Sequence, residues 1–348
     1  MVHIKEDRNV DIDAMKGIGI ILVVVGHMVW PFPINKLIYS FHMPLFVCLS
    51  GIVFNAEKIK KNVISLLYLY FLWGVIVVSL YTLCYTYSIT KFFEQILHLL
   101  LGGSANDFVI EHSAAFWYLT CILIVELMFC FICRVKWNQL VVSLIALVIG
   151  RMLFSVKEYI SIPYNIDIAF FLYPFFSLGN AYGSRIMKYY EQKRPDVRAA
   201  LFIMILLFIC VSISNGDVNV FRGRYGNNVL LYYVQGIMGA FLVYFITMFL
   251  SKKVKRLLIW LGQNTVFILV THQFLLYNIY VRYTPPVGDS IKERIIITCI
   301  SIFLFVLIMC IEVVSIFVIK KYMPFLLSYK YLKKYRKDKV QVSIKGEE

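Results

Sequence analysis

DAMKGIGIILVVVGHMVWPFP, residues Asp13–Pro33, is the stretch that decides the fold. It is apolar for most of its length, yet holds Lys16 near one end and His27 near the other. A helix needs about 20 mainly apolar residues to cross the hydrocarbon of a bilayer. This run is that long, and no small-residue cleavage site follows Ile18–Val29, so a retained span is expected rather than a removed signal peptide. Similar runs recur along the chain, at roughly 37–54, 63–87, 115–133, 138–154, 165–184, 199–215, 228–250, 257–279 and 294–319. With 15–33 they predict an all-α, polytopic bundle of about ten transmembrane helices. Lys91–Leu101 is too short to cross; Phe92, Phe93, Ile96, Leu97 and Leu100 mark it as an interfacial helix.

Composition agrees. Of 348 residues, 60% are apolar or aromatic and 16% are charged. Soluble domains carry about 25% charged residues, so this chain has too little polar surface to cover a core in water. The net charge of +15 could suggest nucleic acid, but the cations lie in short clusters between apolar runs, which is membrane topology. With both ends in the cytoplasm, 26 of the 35 Lys and Arg residues fall on the inner side. The expected organisation is a cytoplasmic N-terminal segment (1–14), a ten-helix membrane domain (15–320) and a basic cytoplasmic tail (321–348) held by anionic lipid. A multi-pass protein of the plasma (inner) membrane is expected. All eight cysteines lie in apolar runs; Cys130 and Cys133 form an isolated C-x-x-C, better read as buried hydrophobes than as a redox or metal site.

Ionisable groups at membrane depth are costly and face the protein interior. Lys16 and His27 are eleven residues apart, which at about 100° per residue returns them to one face, about 16 Å apart along the axis. Lys16 falls at the cytoplasmic mouth and His27 towards the outer side. A snorkelling lysine and a histidine bonded to a carbonyl would fit these two residues equally well. The predicted topology brings further polar groups to the outer level. They are His42 within Ser40-Phe41-His42-Met43-Pro44-Leu45-Phe46, Trp117, Arg151, Asp167, the loop Arg222–Asn228, and Thr271-His272-Gln273. Pro44 frees a backbone carbonyl, so His42 could serve only as its structural partner. Convergence of histidines, an aspartate and arginines in one leaflet predicts a polar cavity open to the outside. Glu126 and Glu312 lie mid-span and do not fit this level.

Several blocks resemble the membrane acyltransferase-3 family, and within it the fucose 4-O-acetylase-like sugar O-acetyltransferases. They are Asp13-Ala14-Met15-Lys16-Gly17, Gly26-His27, Phe41–Phe46 and Leu49-Ser50-Gly51. The family signature, a basic residue, ten residues and a histidine, is matched by Lys16 and His27. Looser similarity continues through Phe116-Trp117-Tyr118-Leu119, Asp167 with Pro174-Phe175-Phe176, and Leu261–Thr265 followed by His272. The resemblance spans about residues 8–280 and includes no appended hydrolase-like domain, so transfer is expected to finish in the membrane part or pass straight to a membrane-side acceptor.

The resemblance implies acetyl-CoA as donor, a sugar hydroxyl of a surface or lipid-linked glycan as acceptor, and no metal. It assigns Lys16, with Asp13 and Ser50, to the donor, and His27 to catalysis as general base or transient acyl carrier, with Asp167 and His42 as further catalytic candidates. Trp117, Arg151, Arg224, Asn227 and His272 are expected to bind the acceptor or stabilise the oxyanion. Histidine suits the task because its unperturbed pKa lies near working pH. A transporter or flippase for a glycan precursor is the other function that ten spans and intramembrane charges would fit.

Overall fold

The computed structural model describes residues 9–31, 33–104, 108–156, 162–193, 198–284 and 290–332. Most of the expected N-terminal segment, with Lys5 and Arg8, most of the basic tail, and Lys157 and Arg194 lie outside the described residues. The first half of the chain forms α1 (Val10–Gly26), α2 (Ile34–Tyr39), α3 (His42–Ile52), α4 (Ile59–Tyr81), α5 (Ile89–Leu100), α6 (Trp117–Arg134) and α7 (Gln139–Val156). The second half forms α8 (Ile166–Leu178), α9 (Ser184–Lys193), α10 (Arg198–Asn215), α11 (Val229–Phe249), α12 (Lys252–Gly262), α13 (Thr265–Leu275), α14 (Val281–Tyr283) and α15 (Ile291–Tyr322). Its only strands among the described residues, β1 (Val218–Asn219) and β2 (Arg224–Tyr225), make a small antiparallel hairpin between α10 and α11.

This is an all-α, multi-pass membrane protein, and each predicted span has helix within it. Length and apolarity alone qualify five helices to cross a bilayer: Ala56–Thr86, Ala114–Arg134, Arg198–Asn215, Val229–Phe249 and Ile291–Tyr322. Among the described residues the pair Lys252–Gly262 and Thr265–Tyr283, bent by 79° at the Gln263-Asn264 break, has the geometry of a broken span or a re-entrant loop and makes a sixth only if it is one span. The other predicted spans are shorter or interrupted. The first helix stops at Gly26, and 37–54 divides at Ser40-Phe41 into α2 and α3. The run 165–184 passes through a π-turn at Gly179–Gly183. Pro44 causes no break: it sits in the first turn of α3, where its missing N–H is not needed. The amphipathic segment forms α5, capped by Ser88, with Leu99 buried against Gly74 and Phe93, Leu97 and Leu100 exposed.

Burial sorts the helices into two layers. Of α8, Asp167–Ala169 and Phe171–Ser177 are buried, as are most residues of α3 and α6. By contrast α10 and α15 leave long apolar faces exposed, among them Phe202, Ile203, Phe303 and Phe317, which is the surface a lipid environment covers. Two glycine pairs fix the inner layer. A Cβ on Gly17 would lie 2.1 Å from the Leu258 carbonyl oxygen, and one on Gly262 would lie 1.8 Å from the Asp13 oxygen. Helices α1 and α12 therefore cross backbone to backbone, the contact that small residues permit in membranes. Gly51 and Gly179 bring α3 onto the end of α8 in the same way. Lys255 of α12 pairs with Asp11 in the first turn of α1.

Candidate active site

The cap of Asn9 on Asp11 and Ile12 starts α1, and its uninterrupted turns then set one face in order. Lys16, Ile20 and Val23 of that face line an inner cavity of about 600 Å³. Val23 and His27 line an outer pocket of about 70 Å³. The shared face predicted from the eleven-residue spacing is therefore present, and it runs through both spaces. Val23, Met43, Tyr118 and Leu269 belong to both linings, so these four side chains form the collar between them.

The inner cavity has a polar fringe. Ser50 of α3, Asn62 and Ser65 of α4, Glu126 of α6 and Thr265 of α13 join Lys16, while Phe46, Leu66, Leu69, Ile122 and Val266 supply apolar wall. Glu126, which the sequence left without a level, is thus on the Lys16 side of the collar. Glu312 is fully buried on α15 and has both carboxyl oxygens on the Thr271 hydroxyl, at 2.8 and 2.9 Å.

Around the outer pocket, His27 caps the C-terminal end of α1 and its ring is exposed to the pocket. Tyr39 Oη lies 3.3 Å from its Nδ1, and Gln273 Nε2 lies 3.3 Å from its Nε2. The Gln273 amide is oriented by its other end, because the Ala115 N–H donates to Oε1 at 2.6 Å. The amide nitrogen is thereby turned to the imidazole as a donor. Backbone beyond His27 is clamped too. Asn35 Nδ2 donates to the Gly26 and Met28 carbonyls, and the Tyr280 hydroxyl accepts from the Val29 N–H and donates to the Val29 carbonyl. Ser301 donates to that same carbonyl. Tyr280 reaches it from the π-turn Leu276–Tyr280.

His42 lines the same pocket. Its Nδ1 is 2.8 Å from the Ile38 carbonyl oxygen, which can only accept, so Nδ1 carries the proton and Nε2 is the acceptor of the neutral ring. The carbonyl it meets is that of Ile38, which also accepts from the Phe41 N–H, and not the Ser40 carbonyl that Pro44 frees. Trp117 completes the wall with Phe221 and Asn219 of the hairpin region.

Other expected site residues stand elsewhere. Asp167 is buried at the start of α8, outside both linings, and Arg151 of α7 is exposed and lies outside them too. Arg224 is an exposed strand residue and Asn227 ties its own loop together by donating to the Ser214 carbonyl. Asp13 is buried near Gln263, 3.3 Å from its Nε2, also outside both linings. His272 is sealed from both spaces, with its ring centre 5.3 Å from that of His27. Gln273 and Tyr39, the ring partners of His27, are not among the residues expected from sequence. Gln273 carried a signal in its place beside His272; Tyr39, in an ordinary apolar run, carried none.

The acyltransferase domain family matches residues 9–314, which takes in every residue of both linings. This chain is a member of the acyltransferase-3 family. It is similar to nodulation protein NolL of Sinorhizobium fredii (strain NBRC 101917 / NGR234), 25% identical over 263 residues, 68% of this chain and 65% of that protein. The match thus takes in somewhat under two thirds of that relative's length. A NolL of Mesorhizobium japonicum (strain LMG 29417 / CECT 9101 / MAFF 303099) is 36% identical over 67 residues, 16% of this chain and 18% of that protein. No solved structure matches this chain.

Proposed function

We propose that this acyltransferase is an O-acetyltransferase that takes an acetyl group from cytoplasmic acetyl-CoA and delivers it to a sugar hydroxyl of a surface or lipid-linked glycan. The observation that carries the proposal is the single face of α1, with Lys16 in a roomy cavity and His27 in a small pocket beyond a four-residue collar. Around this face we infer ten crossings, both ends cytoplasmic, in the plasma (inner) membrane.

Coenzyme A is anionic, so its phosphates dock at the cytoplasmic mouth near Lys16 and the inner-loop cations. The pantetheine arm is thin and neutral and suits a cavity of mixed polar and apolar wall. Its thioester reaches the collar and presents the acyl group beside His27. His27 takes the proton of the acceptor hydroxyl as the oxygen attacks the carbonyl carbon. The carbon–sulfur bond then breaks, and the thiolate leaves as thiol with that proton. An acyl-histidine followed by attack of the sugar reaches the same products. The Gln273 amide supplies an oriented donor next to the reacting carbonyl. The outer pocket, about 70 Å³, suits acetyl better than longer chains.

The test is purified protein given labelled acetyl-CoA and candidate glycans. Release of free coenzyme A with label on the sugar is expected, lost in His27→Ala. Glycan movement across vesicles without coenzyme A release would instead make this a transporter. The collar speaks against that, since four packed side chains leave no path for a sugar.

A further inference from the structure

His272 is a buried titratable group that the mechanism above does not use. Its Nδ1 is 2.9 Å from the carbonyl oxygens of both Ile268 and Leu269, one turn back on its own helix. Carbonyls only accept, so the proton sits on Nδ1 and Nε2 is left with a lone pair. That Nε2 is buried without a hydrogen-bond partner, in a residue with 0% of its surface exposed. A buried nitrogen acceptor left unbonded costs free energy, so its retention calls for a reason. Because Nδ1 is tied back to α13, Nε2 points away from that helix. The ring centre of His27 is 5.3 Å from that of His272, with the planes at 41°. Two imidazoles joined by an N–H···N bond of about 3 Å have their centres about 5 Å apart, so the rings stand at the separation such a bond needs, with the bond itself not made between them as they lie.

We infer that His272 is a positioning residue: its Nε2 accepts a hydrogen bond from His27 once His27 has taken the proton of the acceptor hydroxyl. The idea rests on the base role proposed for His27. Neutral His27 accepts from the Gln273 amide at Nε2 and turns its Nδ1–H to the Tyr39 hydroxyl. On protonation Nε2 donates too, the Gln273 N–H it faces cannot accept, and another acceptor is needed. His272 supplies it without holding a charge of its own, because its tautomer is fixed beforehand. This is the work a carboxylate does behind the histidine of a serine hydrolase, done here by a neutral ring. No atom is gained or lost at His272: the acceptor's proton passes to His27 and then to the departing sulfur as the carbon–oxygen bond forms and the carbon–sulfur bond breaks. The titratable groups around the pair are Tyr39 and His42 on the pocket side, Arg222 acting on Tyr39, Tyr280 after α13, and Glu312 through Thr271.

The experiment is steady-state transfer by purified full-length protein with His272→Phe, which keeps a ring of similar size and deletes both nitrogens. Two acceptors are compared: the sugar, which needs a base, and hydroxylamine, which does not. Expected are a fall of about ten- to a hundred-fold in kcat for the sugar, a KM for acetyl-CoA unchanged within about twofold, and little loss with hydroxylamine. Losing an acceptor for protonated His27 makes that form harder to reach. The acid limb of the kcat profile therefore moves to lower pH, by about one unit. His272→Gln, which retains a neutral acceptor oxygen, should recover most of the sugar rate; His272→Leu, which also deletes both nitrogens and is smaller, replaces the Phe variant in all comparisons if that variant fails to insert. An unmoved acid limb with wild-type kcat overturns the inference, as does an equal loss with both acceptors, which would mark a packing role. His27→Ala run alongside separates the two levels. If it transfers acetyl to sugar at the wild-type rate, the base role fails and the inference falls with it; if it is inactive, only His272 is being judged.

Discussion

Met43 stands in the collar on the α3 side, 7% exposed and shared by the inner cavity and the outer pocket. Its truncation to alanine should change which acyl chain is used. The outer pocket is about 70 Å³ against about 600 Å³ for the cavity behind it, so length selection falls at the collar and beyond. One extra methylene in a tight apolar pocket is worth roughly 10- to 200-fold in kcat/KM. The wild type is therefore expected to prefer acetyl-CoA over propionyl-CoA by about that factor, and over butyryl-CoA by more. Met43→Ala removes three heavy atoms from the wall and should compress the acetyl-to-propionyl ratio to within about fivefold. Truncating a buried Met costs about 2–5 kcal/mol, and the low end applies because this side chain already borders open space. The assay is coenzyme A release with each donor in turn, on protein whose thermal unfolding in detergent shows it folded. A ratio that stays as in the wild type, or a wild type that prefers butyryl, would refute the assignment of selectivity to the collar.

Lys16→Ala should raise the KM for acetyl-CoA about tenfold or more with a much smaller effect on the acceptor KM, measured by varying each substrate in turn; this follows the cost of losing a charge-assisted bond to a phosphate. Gly262→Val should separate α1 from α12, since even a Cβ there meets the Asp13 oxygen at 1.8 Å; a loss above about 4 kcal/mol is expected, seen as failure to insert or a sharp drop in unfolding temperature. Tyr280→Phe deletes the hydroxyl that binds both polar groups of Val29; it should lower kcat, leave the acetyl-CoA KM alone, and cost about 1–3 kcal/mol in stability.

The sequence shows faces far more readily than it shows neighbours. The α1 face is legible because a helix repeats at a fixed angle, so Lys16, Ile20, Val23 and His27 have one spatial meaning wherever α1 packs. The breaks are less legible. Ser40-Phe41 and Gln263-Asn264 lie within apolar runs, and hydropathy averages over them, so α2 with α3, and α12 with α13, read as straight spans. Pairing across the bundle is hardest. Tyr39 and Gln273 meet at His27 from helices far apart in the chain, and nothing local to either residue encodes that meeting. Asp167 shows the converse. It shares the predicted outer level with His27, yet depth says nothing of azimuth around the bundle, and α8 buries it outside both linings.

The four-residue collar has a consequence for the membrane itself. Val23, Met43, Tyr118 and Leu269 present hydrocarbon and a ring to whatever stands on either side, and a narrow apolar constriction excludes water when nothing fills it. Ions cannot follow where water does not stand. A bundle closed at this level can in this way remain electrically tight, with the membrane potential undissipated.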